Sequence, residues 1–83
     1  MEIKVLYFAS VREEIGVREE ILEIVDTGIV TLASLRGLLI KMYPHVAAII
    51  ESIALACNLE YSEDDMALQN GDEVALIPPI SGG

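Results

Sequence analysis

Apolar side chains occupy both faces of the chain's first stretch if it is drawn as an extended strand. Ile3, Val5 and Tyr7 face one way, and Lys4, Leu6 and Phe8 face the other. A run that is apolar on both faces suits a central strand covered on each side, so a strand is predicted over residues 3–9. Val11 to Gly16 carries charges and ends on a glycine, and reads as a turn. Residues 18–25 predict a second strand that makes a hairpin with the first. Glu19, Glu20 and Glu23 mark it as a partly solvated edge.

The period then changes. Thr31 suits a helix N-cap, and Leu32, Leu35, Leu38, Leu39 and Met42 recur at helical spacing as one apolar stripe. Arg36 and Lys41 fall off the stripe, and Lys41 lies near the end where the helix dipole favours a cation. Pro44 stops the helix, because the residue before a proline disfavours the helical region. The helix therefore runs from Thr31 to Tyr43.

Residues 46–50 read as a short helical turn or a loop. A third strand is predicted over 52–58, a short fourth over 59–62, and a last strand over 73–77. Gln69 to Asp72 forms a tight turn in which Gly71 supplies positive φ. Pro78 and Pro79 end the last strand, since neither can donate to a sheet ladder. One helix packed on one face of a mixed sheet is an α+β layer architecture, with the first and last strands central and adjacent.

Size and composition narrow the function. With 83 residues the chain makes one domain, and folding buries roughly 60–65% of its unfolded surface. Such a core has no room for a deep internal active site. Yet the hydrophobic content is 53%, more than a small core absorbs, so an exposed apolar patch for a partner is expected. The net charge of −9 argues against nucleic acid or an anionic membrane as the main partner, since both need clustered Lys and Arg. No signal peptide or membrane-spanning run is apparent, and a cytosolic address is the default.

The usual catalytic constellations do not assemble. His45 is the lone histidine and reads as a surface residue, so a metal site is not expected. Cys57, the lone cysteine, lies in an apolar strand and reads as a buried, inert thiol. No glycine-rich phosphate loop is present. Glu63, Asp64 and Asp65 lack calcium-loop spacing and read as a solvated turn; Glu13/Glu14 and Glu19/Glu20 read as surface charge.

What remains is the tail: Pro78, Pro79, Ile80, Ser81, Gly82 and Gly83. Beyond the domain at residues 1–77, residues 78–83 leave as an extended segment with a reach of about 15–20 Å. The prolines stiffen its base and lower the entropy lost on docking. The glycines let another protein's backbone and a nucleotide approach closely. The α-carboxylate of Gly83 is sterically open, and adenylation by another protein would let a sulfur nucleophile displace AMP.

Three stretches resemble the small subunits of molybdopterin synthase, a family of ubiquitin-like β-grasp sulfur carriers. They are IKVLYFASVRE at the start, GDEVALIPP at the last strand, and PPISGG at the end. The resemblance implies a mixed sheet with one main helix on one face and an extended tail. It also implies that a ubiquitin-activator-like adenylyltransferase and sulfurtransferase uses ATP to adenylate Gly83, which then becomes a thiocarboxylate. The chain itself holds no cofactor. The tail, Pro78 to Gly82, is read by both partners. The large subunit, in a heterotetramer, accepts the tail, and two carriers deliver the dithiolene sulfurs that convert cyclic pyranopterin monophosphate to molybdopterin. Phe8, Tyr61 and Ile77 are the positions that match the family's apolar contact with the large subunit. Two other readings stay open: a sister carrier for thiamine or tRNA thiolation, and a β-grasp interaction module without chemistry.

Overall fold

A computed structural model of the chain describes residues 1–25 and 28–78. The elements are β1 (Glu2–Tyr7), α1 (Ala9–Ile15), β2 (Glu19–Glu23), α2 (Leu32–Met42), a 3-10 turn (Pro44–Val46), α3 (Ala47–Ser52), β3 (Ala54–Cys57), β4 (Glu60–Ser62) and β5 (Glu73–Ile77). The strands form a five-stranded sheet in the order β2-β1-β5-β3-β4. β1 and β5 run parallel, and the other neighbours run antiparallel. The first and last strands are thus adjacent inside the sheet, in the β-grasp layout that the resemblance implies.

One face of the sheet carries the core. Ile3, Val5 and Tyr7 of β1 alternate inward, joined by Leu22, Leu55, Cys57, Val74 and Leu76. Leu32, Leu35 and Leu39 of α2 pack into the same cluster, with Val46 and Ile50. Each such aliphatic side chain stabilises the fold by about 1.5–3 kcal/mol through burial. The α2 stripe fades at its end, for Leu38 is half-buried and Met42 is 39% exposed. Thr31 caps the helix as predicted, its Oγ1 accepting from the Ser34 N–H at 3.3 Å. The chain leaves the helix at Tyr43, one residue before Pro44.

The other sheet face lacks a cover among the described residues. β1 is therefore covered on one side only, contrary to the reading of a strand buried on both faces. Leu6 and Phe8 are apolar because they line an open surface, and an apolar residue on such a surface is indistinguishable by pattern from one in a core.

Further expectations are corrected. Residues 11–15 belong to helix α1 and Gly16 caps it, so this stretch is not a turn. Val11 is its one buried residue, and Gly16 ends it at φ 91, its N–H donating to the Arg12 carbonyl at 2.8 Å. A seven-residue helix buries too little to show a period, and its charges imitate a loop. The single main helix is accompanied by α1 and α3, and residues 46–50 prove largely helical.

Two acidic groups read as solvent-facing are engaged. The Glu20 carboxylate accepts from the hydroxyls of both Tyr7 and Tyr43, which bridges β2 to β1 and to the end of α2. Burial, then this carboxylate, pushes the Tyr7 hydroxyl far above the usual tyrosine value, and Tyr43 rises for the same causes. Asp64 accepts from Arg36 Nη2 at 2.7 Å. Arg36 Nη1 also donates to the carbonyls of Ile50 and Ile53 at 2.6 and 2.8 Å, closing the end of α3.

Candidate functional site

The open face owes its shape to small residues at the centre of the sheet. Residues paired across strands share a face. Ala75 of β5 pairs with Leu6 on one side and Ala56 on the other, and Ala56 pairs with Tyr61. The two alanines make a low floor. Larger side chains rise around it: Phe8 and Ile77 at one end, Tyr61 and Leu59 at β4, and Glu73 at the start of β5. Together they enclose a shallow, mainly apolar depression of about 170 Å3.

Backbone geometry at its rim is unusual. Phe8 is extended, and Ala9 adopts φ 50 as the chain swings from β1 into α1. Phe8 is left 43% exposed on the open face instead of joining the core. In the turn before β4, Asn58 and Leu59 adopt φ 51 and 73. Tyr61 is 71% exposed and Leu59 91%.

The structure brings Phe8, Tyr61 and Ile77 together around this one depression. Because β1 and β5 run parallel, Phe8 and Ile77 both sit at the end where β5 gives way to Pro78, which is buried. The depression therefore borders the root of the tail. Pro79, Ile80, Ser81, Gly82 and Gly83 lie outside the described residues. Leu6, Ala56, Leu59 and Ala75 also line the depression and were not singled out from the sequence. The signal for Leu59 was available, since Asn58 is a favoured first residue of a two-residue hairpin turn.

Charge flanks the apolar surface. Lys4, beside Glu73 in the sheet, pairs with Glu19 at 3.0 Å, and that hydrogen bond raises its pKa. Elsewhere, Cys57 is buried with its thiol 3.9 Å from the Asp72 carboxylate; burial and then that charge push the thiol upward. A raised thiol is a poor nucleophile. His45 is exposed, its Nε2 3.1 Å from the Glu14 carbonyl. Among the described residues, no group of three or more His, Cys, Asp or Glu side chains is placed to hold a metal ion. Nor is any helix among them long and apolar enough to cross a membrane.

A family model described as the ThiS family matches residues 5–83. Curated relatives extend the likeness over the whole chain. The molybdopterin synthase sulfur carrier subunit of Chlamydomonas reinhardtii is 45% identical, with all of both chains covered. That of Arabidopsis thaliana is 42% identical over all of this chain and 84% of its own length. That of Homo sapiens is 36% identical over 99% of this chain and 94% of its own. Among solved structures, SAMP1 from Haloferax volcanii superposes with a TM-score of 0.85 at 25% identity, covering all of both chains. A chain from the complex of subunits 1 and 2 of molybdopterin-converting factor from Helicobacter pylori covers all of both at a TM-score of 0.71. At 23% identity that second match is a likeness of fold.

Proposed function

This chain belongs to the ThiS family, and on that footing we propose that it is the sulfur carrier subunit of a molybdopterin synthase. The observation that carries the reading is the position of the apolar depression beside the exit of β5. A partner seated there lies within reach of a tail that ends in Gly82 and Gly83. Full-length identity to relatives named as this subunit supports the same reading.

The division of labour follows from the chemistry that the fold lacks. A carboxylate needs activation, and the described residues offer no phosphate loop and no nucleophile with an adjacent base. A separate adenylylating enzyme supplies this step: the Gly83 carboxylate attacks the α-phosphate of ATP and pyrophosphate leaves. A sulfur nucleophile then displaces AMP and leaves a thiocarboxylate. The large synthase subunit takes the tail and uses the sulfur, and the glycine returns as a carboxylate. Two such deliveries complete the dithiolene of molybdopterin from cyclic pyranopterin monophosphate. The carrier's own residues bind, orient and present.

The test is an intact mass after incubation with ATP, sulfide and the activating enzyme, followed by product formation with the large subunit and the pterin precursor. Replacement of one oxygen by sulfur at Gly83 is expected, then turnover. A Gly83 deletion should lose both while its thermal melt stays nearly unchanged. Turnover by the deletion variant would overturn the carrier reading.

A further inference from the structure

We propose that Leu59 is a partner-anchoring residue of this carrier, presented from a strained turn to fill an apolar pocket on the large synthase subunit. The inference deepens the function proposed above and rests on it. β3 and β4 are joined by two residues, Asn58 and Leu59, between the paired positions Cys57 and Glu60. Both have positive φ, 51 and 73, the signature of a type I′ hairpin turn. Asparagine suits the first position. The second is normally glycine, because a Cβ crowds the backbone in the left-handed region, and a large side chain there is an outlier.

Among the described residues, nothing rewards that choice. Leu59 is 91% exposed and takes no part in the hydrophobic core. An exposed leucine improves neither packing nor solubility, and at this position it opposes the backbone preference. Strain that the fold does not use points to a use outside it. The side chain lines the same depression as Tyr61, Ala56, Ala75 and Ile77, so it continues one surface.

Its place on that surface defines its role. Ala54 pairs with Ile77 and Cys57 with Val74, so the turn that follows Cys57 lies at the end of β5 away from Pro78. Phe8 and Ile77 meet a partner near the tail root, and Leu59 meets it at the far end. A partner holding only the tail, whose reach is about 15–20 Å, would leave the domain's orientation unset. A second apolar contact across the sheet fixes its orientation. The occupant is the large subunit, because the relatives of this chain are by name subunits of molybdopterin synthase. A few residues seated in fitted, fully desolvated pockets carry much of the energy of such interfaces.

The test substitutes the residue that the turn prefers. Leu59→Gly relieves the strain and removes the anchor, so the two readouts should move in opposite senses. The melting temperature is expected to hold or rise, while affinity for the large subunit, measured by calorimetry, falls about tenfold or more. Leu59→Met restores an apolar side chain at the same φ and should recover most of the affinity. Affinity of Leu59→Gly within about twofold of the parent, alongside a clear loss in Tyr61→Ala, overturns the proposal and leaves the carrier function standing. A fall in melting temperature that matches the lost affinity makes Leu59 a structural residue and overturns it too. So does impaired thiocarboxylation with unchanged large-subunit binding, which assigns the anchor to the activating enzyme. A parent chain that never binds the large subunit overturns both the anchor and the function it rests on.

Discussion

Replacing Arg36 with methionine should cost the fold about 2–4 kcal/mol, although Arg36 lies off the apolar stripe of its helix. Its guanidinium donates to the Ile50 and Ile53 carbonyls at 2.6 and 2.8 Å and to Asp64 at 2.7 Å. The side chain is only 13% exposed, and Ile50 and Ile53 are buried. Hydrogen bonds from a charged donor contribute about 1.5–3 kcal/mol each, so the two carbonyl contacts set a gross loss of about 3–6 kcal/mol. The contact with Asp64, which is 52% exposed, adds about 0.5 kcal/mol. Against this, Arg36 Nε is buried without a partner among the described residues, and methionine removes that desolvated donor while keeping most of the apolar stem. The net corresponds to a melting temperature lower by about 10–25 °C for a domain of this size. Arg36→Lys keeps the charge but loses the fork, and should fall between the two. Urea and thermal unfolding followed by circular dichroism give the number. A loss below about 0.5 kcal/mol, the range of ordinary surface changes, would mean that water replaces the guanidinium at the end of α3 and would refute the reasoning.

Leu35→Ala, at a fully buried position in the middle of α2, should cost about 2–5 kcal/mol in urea unfolding, and a loss under about 0.5 kcal/mol would place the stripe in solvent. Tyr7 and Tyr43 have hydroxyls raised above the tyrosine value of 10.0, so the unfolded chain releases these protons first as pH rises. Their contribution is fully present below the unfolded value and is lost as pH climbs above it, so stability should fall above about pH 10 and fall less steeply in Tyr7→Phe. Phe8→Asp or Ile77→Asp should weaken large-subunit binding more than it weakens the fold, because both side chains border the open depression; unchanged affinity by calorimetry in both would place the contact elsewhere.

The sequence made the sheet legible where two faces of a strand differ in kind, and obscured it where they did not. Glu73 to Ile77 was bounded correctly because a glycine turn precedes it and prolines follow it. α2 was bounded to within a residue by Thr31 and Pro44. α1 was missed because one buried valine gives no period. The open face was mistaken for a second buried face, since Leu6 and Phe8 have the same letters in either role. Long-range polar contacts were the least legible. Nothing local to Glu20 announces two tyrosines at sequence separations of 13 and 23, and nothing near Arg36 announces carbonyls 14 and 17 residues away. Phe8, Tyr61 and Ile77 were singled out through the resemblance and line one depression; Asn58 signalled the turn, while the positive φ and the exposure of Leu59 came from the structure.

The alternation of β5 separates what holds this domain together from what it presents. Val74 and Leu76 point into the core and are fully buried. Glu73, Ala75 and Ile77 point to the open face and line the depression. A strand's period of two therefore lets one five-residue segment serve both demands without sharing a side chain between them. The same parity places Glu2, Glu19 and Glu23 on the open side with Lys4, whose charge Glu19 already engages. On its β2 side the apolar surface is thus bordered by these carboxylates, with the exposed Ile21 between Glu19 and Glu23. We expect apolar contact to supply the binding energy at the depression, and the acidic border to speed and orient approach by a partner with a basic rim. Substitutions on the border should act on the association rate and its salt dependence, and those at the centre on the lifetime of the complex, because only the central groups are desolvated when the partner seats.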